Sequence, residues 1–186
     1  MIGATRLNDH SIENMRKTFF SEDPFHLVAP DYYSDSEWDQ EMILNDGFWT
    51  INPGNAEGIS NGGNLLTFNF LLGYQYISSI EGAILFLEEN KIIDFKGVQK
   101  ELQQILNHPE GEKIKGLVLG RFQRDTGMTR ELLTQLIKSK KELEEIPVIA
   151  NVDCSHTAPM LTFPIGGRVR IKAEPDDRVT NEMLKH

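Results

Sequence analysis

Two residues that could transfer or hold a proton each follow an apolar run of the kind that forms a buried strand. Glu88 closes the run GAILFLE, and His156 follows PVIANVDCS. Ligands of open parallel sheets gather at the carboxyl ends of the strands, so these two residues are expected to approach each other if their strands are neighbours. A carboxylate beside a histidine fixes the imidazole tautomer and stabilises the imidazolium that forms on proton uptake. The spacing predicts a carboxylate–imidazole pair that serves a nucleophile within hydrogen-bond reach.

The nucleophile itself is not evident in the sequence. Cys154 could be a reactive thiol, but it lies two residues before His156, and a small buried residue is the competing interpretation. Ser155 adjoins His156, and adjacent side chains rarely meet productively. Glu88 and Glu89 together could indicate two-carboxylate glycoside hydrolysis, although neighbouring residues at a strand end point in different directions. A purely structural role for Glu88 and His156 also stays open.

The sequence offers few other sites for chemistry. Motifs of the forms GxSxG, GxxxxGK[ST] and GxGxxG are absent. No other histidine has a second ligand at metal-binding spacing, which covers His10, His26, His108 and His186. We therefore expect no metal and no cofactor. Two polar groups follow the second and third predicted strands, namely Arg121, Gln123, Arg124 and Asp125, and then Asp153 to His156.

The elements that must position these residues alternate regularly. GAILFL, KGLVLG and PVIANV are short apolar runs typical of strands that are buried on both faces. Between them, apolar residues recur at spacings of three and four, as in two amphipathic helices. The first helix would use Phe95, Val98, Leu102, Ile105 and Leu106, and the second Leu132, Leu133, Leu136 and Ile137. This order predicts an α/β fold with a parallel sheet and right-handed crossovers.

The flanking segments are less regular. Residues 7–20 carry Leu7, Ile12, Met15, Phe19 and Phe20 at roughly helical spacing. Residues 21–47 predict an acidic surface loop that Tyr33 or Trp38 ties to the core. Residues 48–51 predict a strand with AEGIS as its partner, and Asn64 is a favoured helix N-cap. MLTFPI and RVRIKA predict two closing strands, and EPDDRVTNEMLKH predicts a tail or terminal helix.

Composition limits the partners of the protein. The chain has 186 residues and a net charge of −9, which argues against nucleic acid and against an anionic membrane surface. Its single cysteine, Cys154, cannot form an internal disulfide, which favours a reducing compartment. No apolar run approaches the roughly 20 residues that a spanning helix needs. We expect a cytoplasmic protein.

Five stretches in a fixed order carry a family resemblance. GGNL is followed by LFLE, KGLVLGRFQ, IPVIANVDxxH and MLTFPIGG. This order resembles the C-terminal half of the LD-carboxypeptidase family of serine peptidases, in its branch of microcin C self-immunity peptidases. The resemblance covers residues 20–171 and includes the segment SDSEWDQE. It implies a swivelling β/β/α-type domain, with a largely parallel sheet or half-barrel flanked by helices.

The resemblance also implies a Ser–His–Glu triad for amide hydrolysis. The family glutamate that ends the LFLE strand matches Glu88, and the histidine that ends IPVIANVDxxH matches His156. The family serine belongs to an N-terminal domain with no counterpart in this sequence. Residues 1–20 would then be a helical connection, residues 21–175 the C-terminal domain, and residues 176–186 a tail. The family usually has Phe-Gly where Cys154-Ser155 stands, so a serine there is expected to disturb His156 if the glycine has a positive φ.

Two functions remain open on this basis. The chain could be the C-terminal domain of a peptidase that cuts murein peptides or aminoacyl-nucleotides, inactive until a separate chain or missing domain supplies serine. It could instead be a non-catalytic module that binds a ligand or self-associates through the face that such a domain would cover. We expect a homodimer in the second case, because exposed apolar faces favour association.

Overall fold

The computed structural model of the protein describes residues 2–35, 41–77 and 79–185. Its helices are α1 (Ile2–Phe20), α2 (Leu65–Leu71), α3 (Phe95–Leu106) and α4 (Arg130–Lys138). Its strands are β1 (Phe25–His26), β2 (Tyr32–Tyr33), β3 (Ile43–Leu44), β4 (Trp49–Asn52), β5 (Gly54–Asn64), β6 (Ala83–Glu88), β7 (Gly116–Gly120), β8 (Val148–Val152), β9 (Arg168–Ala173) and β10 (Val179–Lys185). No helix among these residues is both long enough and apolar enough to cross a bilayer.

One mixed sheet organises the protein. Its eight strands lie in the order β1-β10-β9-β5-β6-β7-β8-β4. The central four strands, β5 to β8, are parallel, and the outer strands are antiparallel to their neighbours. The predicted α/β fold with a largely parallel sheet and flanking helices is confirmed. Parallel strands require long crossovers, which here are α2, α3 and α4 with their connections.

Side chains alternate between two cores across the central strands. Leu85 and Leu87 of β6 pack in the core shared with α2, α3 and α4. Ile84 and Phe86 pack in a second core with Phe25, Phe48 and Leu161. Every residue from Ala83 to Leu87 is therefore buried, which explains why this strand is uniformly apolar. Burial of each large aliphatic side chain contributes about 1.5–3 kcal/mol to stability.

The predictions for the C-terminal part of the chain are partly wrong. Residues 160–165 form no strand, because their backbone groups form hydrogen bonds with partners that are not part of a strand ladder. Pro164 O, for example, accepts from Ser60 Oγ at 2.5 Å. The predicted tail is wrong for residues 179–185, which form β10, antiparallel to β9. The sequence did not show the alternating apolar pattern of a strand here. The inward-facing residues are Val179, Asn181 and Met183, and the middle one is polar.

Two further predictions concern the segment before Asn64. AEGIS lies in β5 and pairs with β6 and β9, whereas β4 pairs with β8 at the far edge. The proposed pairing of AEGIS with residues 48–51 is therefore wrong. The N-cap prediction is confirmed, since Asn64 Oδ1 accepts from Thr67 N at 3.1 Å. Tyr33 lies with its ring 4.0 Å from the Arg121 guanidinium carbon, while Trp38 falls outside the described residues.

The predicted helix at residues 7–20 is present, but it buries its polar side. Asn14 and Thr18 are buried. Thr18 Oγ1 donates to Thr162 O at 3.0 Å, and Met160 N donates to Ser11 Oγ at 3.0 Å. The apolar side chains of Ile12, Met15, Phe19 and Phe20 are exposed. We call these four residues the α1 stripe.

Candidate functional site

The two carboxylates at the end of β6 have separate partners. Glu89 is buried, accepts from Asn64 Nδ2 at 2.8 Å and accepts from Leu66 N at 3.2 Å. It therefore anchors the first turn of α2. Glu88 instead contacts His156. Because the two carboxylates diverge, the glycoside-hydrolysis alternative loses its geometric basis.

The structure brings Glu88 and His156 together. His156 Nε2 lies 3.3 Å from Glu88 Oε2. The contact is not aligned as a hydrogen bond, and Oε2 has no hydrogen-bond partner in the described part of the chain. The side chain of His156 is 41% exposed and that of Glu88 16% exposed. The imidazole is therefore held by the carboxylate on one side and accessible to a further group on the other.

Burial governs the charge state of Glu88. Desolvation raises the pKa of the Glu88 carboxyl above its ordinary value of 4.5, and the charge of Glu89 adds to this. The imidazole of His156 and the amide of Asn64 oppose the rise. The ionised form of Glu88 is thus costly in the folded chain, as is common for carboxylates at functional sites.

We expect Glu88→Gln to be more stable than the parent at pH 7.5 and equal to it near pH 4. A carboxyl whose folded pKa is raised binds more protons in the folded state, so stability is lost as pH rises through the folded pKa. Glutamine lacks that penalty. Urea unfolding at both pH values measures the difference. Glu89→Gln is the contrasting variant and should lose stability at pH 7.5, because its carboxylate accepts from Leu66 N. A Glu88→Gln protein that is less stable than the parent at pH 7.5 would contradict this account.

A cavity of about 300 Å³ opens beside the pair. Its lining is mostly apolar and consists of Gly63, Phe86, Glu88, Cys154, Ser155, His156, Met160 and Phe163. Phe86 and Phe163 stack with ring centroids 4.3 Å apart. A concave apolar site with a few polar groups is typical of small-ligand binding.

The two potential nucleophiles in this lining are otherwise engaged. Ser155 is buried, and its Oγ donates a short hydrogen bond to Arg121 O. Desolvation, followed by the charges of Asp153 and Glu88, raises the pKa of the Cys154 thiol, and a protonated thiol is a poor nucleophile. Ser155 is also not among the residues with positive φ. The backbone disturbance expected from serine at this position is therefore absent.

A buried ion pair supports the segment that carries His156. Arg121 donates to Asp153 Oδ1 from Nε at 3.1 Å and from Nη2 at 3.0 Å. Its other bonds reach Asn151 Oδ1 and Asn45 Oδ1, both at 2.7 Å. Sequence reasoning placed Arg121 and Asp153 at strand ends but did not pair them. Their position at the ends of consecutive parallel strands is the signal that could have done so.

No group of three His, Cys, Asp or Glu side chains in the described ranges could hold a metal ion. The fold and the site define a class of protein, namely α/β domains with a carboxylate–imidazole pair at the carboxyl edge of a parallel sheet. The model of the LD-carboxypeptidase C-terminal domain matches residues 57–171. The chain belongs to this family.

Two relatives of this chain are about twice as long as the chain itself. YocD of Bacillus subtilis is 38% identical over 170 residues, which are 89% of this chain and 52% of YocD. The microcin C7 self-immunity protein MccF of Escherichia coli is 30% identical over 163 residues, covering 79% of this chain and 45% of MccF. The chain thus spans about half the length of the curated relatives it matches.

Solved structures agree with this placement. The crystal structure of an MccF-like protein from Bacillus anthracis has a TM-score of 0.91 and 33% identity, covering 96% of this chain and 56% of that one. MccF in complex with aspartyl sulfamoyl adenosine has a TM-score of 0.78 and 24% identity, covering 97% of this chain and 56% of MccF. At that identity the likeness to MccF shows the fold alone.

Proposed function

We propose that this chain is the C-terminal half of a serine peptidase of the LD-carboxypeptidase and MccF type, and that it supplies the general base. The observation that carries the proposal is the 3.3 Å contact between His156 Nε2 and Glu88 Oε2 beside an open cavity. The His156 side chain is 41% exposed, so the ring can also face a nucleophile that another segment brings.

The reaction that these groups support is acyl transfer from an amide. A serine hydroxyl attacks the carbonyl carbon while His156 takes its proton and later delivers it to the leaving amine. Glu88 orients the ring and stabilises the imidazolium. Water then releases the acyl group by the reverse sequence of proton transfers, which regenerates the serine.

The serine in this scheme lies outside this sequence. Ser155 donates to Arg121 O and Cys154 is held as a thiol, so neither side chain in the lining can replace it. The half of the relatives that this chain does not match is the natural source of the nucleophile. Alone, this chain is therefore expected to be inactive.

The substrate class follows from the family and from the cavity. MccF is known in complex with aspartyl sulfamoyl adenosine, and the family resemblance adds murein peptides with an L,D linkage. Both contain an amide beside a carboxylate-bearing group. The cavity of about 300 Å³ could hold the acyl side of such a molecule against Phe86 and Phe163. The single cysteine supports a reducing compartment, the cytoplasm, as the place of action.

The proposal is tested by assaying hydrolysis of aspartyl sulfamoyl adenosine and of an L,D-tetrapeptide. The chain alone should be inert, and addition of the unmatched half of YocD should restore turnover. Turnover by the chain alone that His156→Ala abolishes would overturn the assignment of the nucleophile to another segment.

A second function, self-association, is favoured by the α1 stripe. Ile12, Met15, Phe19 and Phe20 follow the i, i+3, i+7, i+8 spacing of a core-facing helix. They are nevertheless 56%, 43%, 63% and 83% exposed. Met160, a cavity-lining residue, donates its backbone N–H to Ser11 of α1, so this helix lies near the cavity. We infer that the α1 stripe packs against the α1 stripe of a second copy, in an antiparallel pairing that sets Ile12 against Phe19.

The area of the α1 stripe sets the strength of this dimer. A phenylalanine buries roughly 150–250 Å² when fully covered, so the four partly exposed side chains offer on the order of 400 Å² per copy. Stable specific interfaces bury about 800 Å² per partner. The dimer should therefore be weak and should dissociate in the micromolar range.

Phe19→Ser is expected to abolish dimers that the parent forms at about 100 μM. Serine removes a large exposed apolar side chain, which the antiparallel pairing sets against Ile12, without touching the buried polar face of α1. Sedimentation velocity over a concentration series measures the effect. Tyr76→Ser, which alters an exposed aromatic residue that follows α2 and is not part of the stripe, should dimerise like the parent. A monomeric parent, or dimers that survive Phe19→Ser, would contradict this function.

A further inference from the structure

The segment that carries His156 has to cross a strand to reach Glu88. In the sheet, β7 lies between β6, which ends at Glu88, and β8, which leads to His156. Residues 153–156 therefore pass over the carboxyl end of β7. Contact between Glu88 and His156 depends on how closely this segment approaches that end.

Gly120 makes the close approach possible. A Cβ atom at Gly120 would lie 2.7 Å from Glu88 Cβ and 2.9 Å from Ser155 Cβ. Both distances are far shorter than a carbon–carbon contact of about 3.5–4.0 Å. Gly120 is not among the glycines with positive φ, so its backbone conformation is open to any residue. The missing side chain, and not the backbone angle, is what this position requires.

Arg121 is bonded to residues 152–155, at the start of the same segment, in three places. Its N–H donates to Val152 O at 2.8 Å, and its carbonyl accepts from Ser155 Oγ. Its guanidinium holds the Asp153 carboxylate at 3.0 Å. Residues immediately before His156 are thus bonded to the residue immediately after Gly120.

We infer that Gly120 and Arg121 are positioning residues that set the distance between His156 and Glu88. Because Gly120 has no side chain, Glu88 and Ser155 can approach each other closely. Arg121 holds residues 153–156 against the end of β7. This inference rests on the proposed function, because it assigns a role within the same pair. A side chain at position 120 would push Glu88 and Ser155 apart and move the imidazole with Ser155.

Gly120→Ala tests the inference, with Gly116→Ala as its matched control. Gly116 is buried in the same strand, and a Cβ there would meet Ile171 Cδ1 at 2.7 Å, the mobile end of a side chain that can shift. The first readout is the change in the His156 ring chemical shifts that Glu88→Gln produces. We expect this response in the parent and in Gly116→Ala, and its loss in Gly120→Ala. An equal response in Gly120→Ala would overturn the inference.

Kinetics in the presence of the unmatched half of YocD give the second readout. A displacement of about 1 Å can cost about 100-fold in rate, so kcat should fall by that factor in Gly120→Ala while KM changes little. Gly116→Ala should keep the parent kcat. Equal kcat in the two alanine variants would overturn the inference.

Ser155→Ala covers the case in which Gly120→Ala does not fold. It removes the bond to Arg121 O without adding volume, and it should weaken the His156 response. An unchanged response in Ser155→Ala, with Gly120→Ala unfolded, would reject the positioning role. If the parent itself shows no response to Glu88→Gln, the proposed pair fails. If the parent responds and Gly120→Ala responds equally, only the positioning role fails.

Discussion

Turnover by the chain together with the unmatched half of YocD is expected to fall about 10⁴-fold or more in His156→Ala. Without the imidazole the serine has no base, and the leaving amine has no acid. Glu88→Gln should cost about 10⁴-fold, because an amide in place of the orienting carboxylate stabilises the wrong tautomer and leaves the imidazolium unpaired. Rates of amide hydrolysis under saturating substrate measure both effects.

The matched control for this prediction is His26→Ala. His26 is exposed in β1 at an edge of the sheet, away from the cavity, so its loss should leave kcat unchanged. Equal rates for His156→Ala and the parent would remove the imidazole from the mechanism. A Glu88→Gln enzyme with the parent rate would leave His156 as a base that needs no orienting carboxylate.

Arg121→Ala is expected to destabilise the fold by about 3–5 kcal/mol, because it leaves a buried carboxylate without its counter-ion. Asp153 is fully buried. Desolvation already raises the pKa of its carboxyl, and Arg121 is the first of the groups that oppose the rise. Loss of Arg121 raises that pKa further, so the variant should lose more stability as pH rises from 5 to 8. Urea unfolding across this range measures both effects.

Two comparison variants sharpen this prediction. Arg121→Met/Asp153→Leu removes both charges and should recover most of the lost stability, since buried ion pairs can be replaced by apolar residues of similar volume. Lys113→Ala breaks the exposed Lys113–Glu81 pair of 2.8 Å and should change stability little, because exposed pairs are screened by solvent. Equal losses from Arg121→Ala and Lys113→Ala would show that the Arg121 network is not a major stabilising element.

The strands and helices within residues 83–152 were predictable because their buried positions follow regular patterns. Strands such as β6 and β8 are buried on both faces, so they appear as continuous apolar runs, and α3 and α4 show the spacing of one buried helix face. Residues 160–165 were not predictable in the same way. Pro164 O and the backbone of Thr162 bond side chains of Ser60, Asn14 and Thr18, and no local pattern encodes partners that lie so far away in sequence.

The amino-acid sequence by itself determined the parallel α/β core, the family, and the placement of Glu88 and His156 at strand ends. The core and the placement of the two residues follow from residue types and spacing within single segments, whereas the family follows from the resemblance of five stretches in a fixed order. Only the tertiary structure decided that the two side chains meet, since their strands are separated by β7 and the contact needs the crossing over Gly120. It also decided that α1 exposes its apolar side. Spacing defines the faces of a helix, but the packing of the whole chain selects which face is buried.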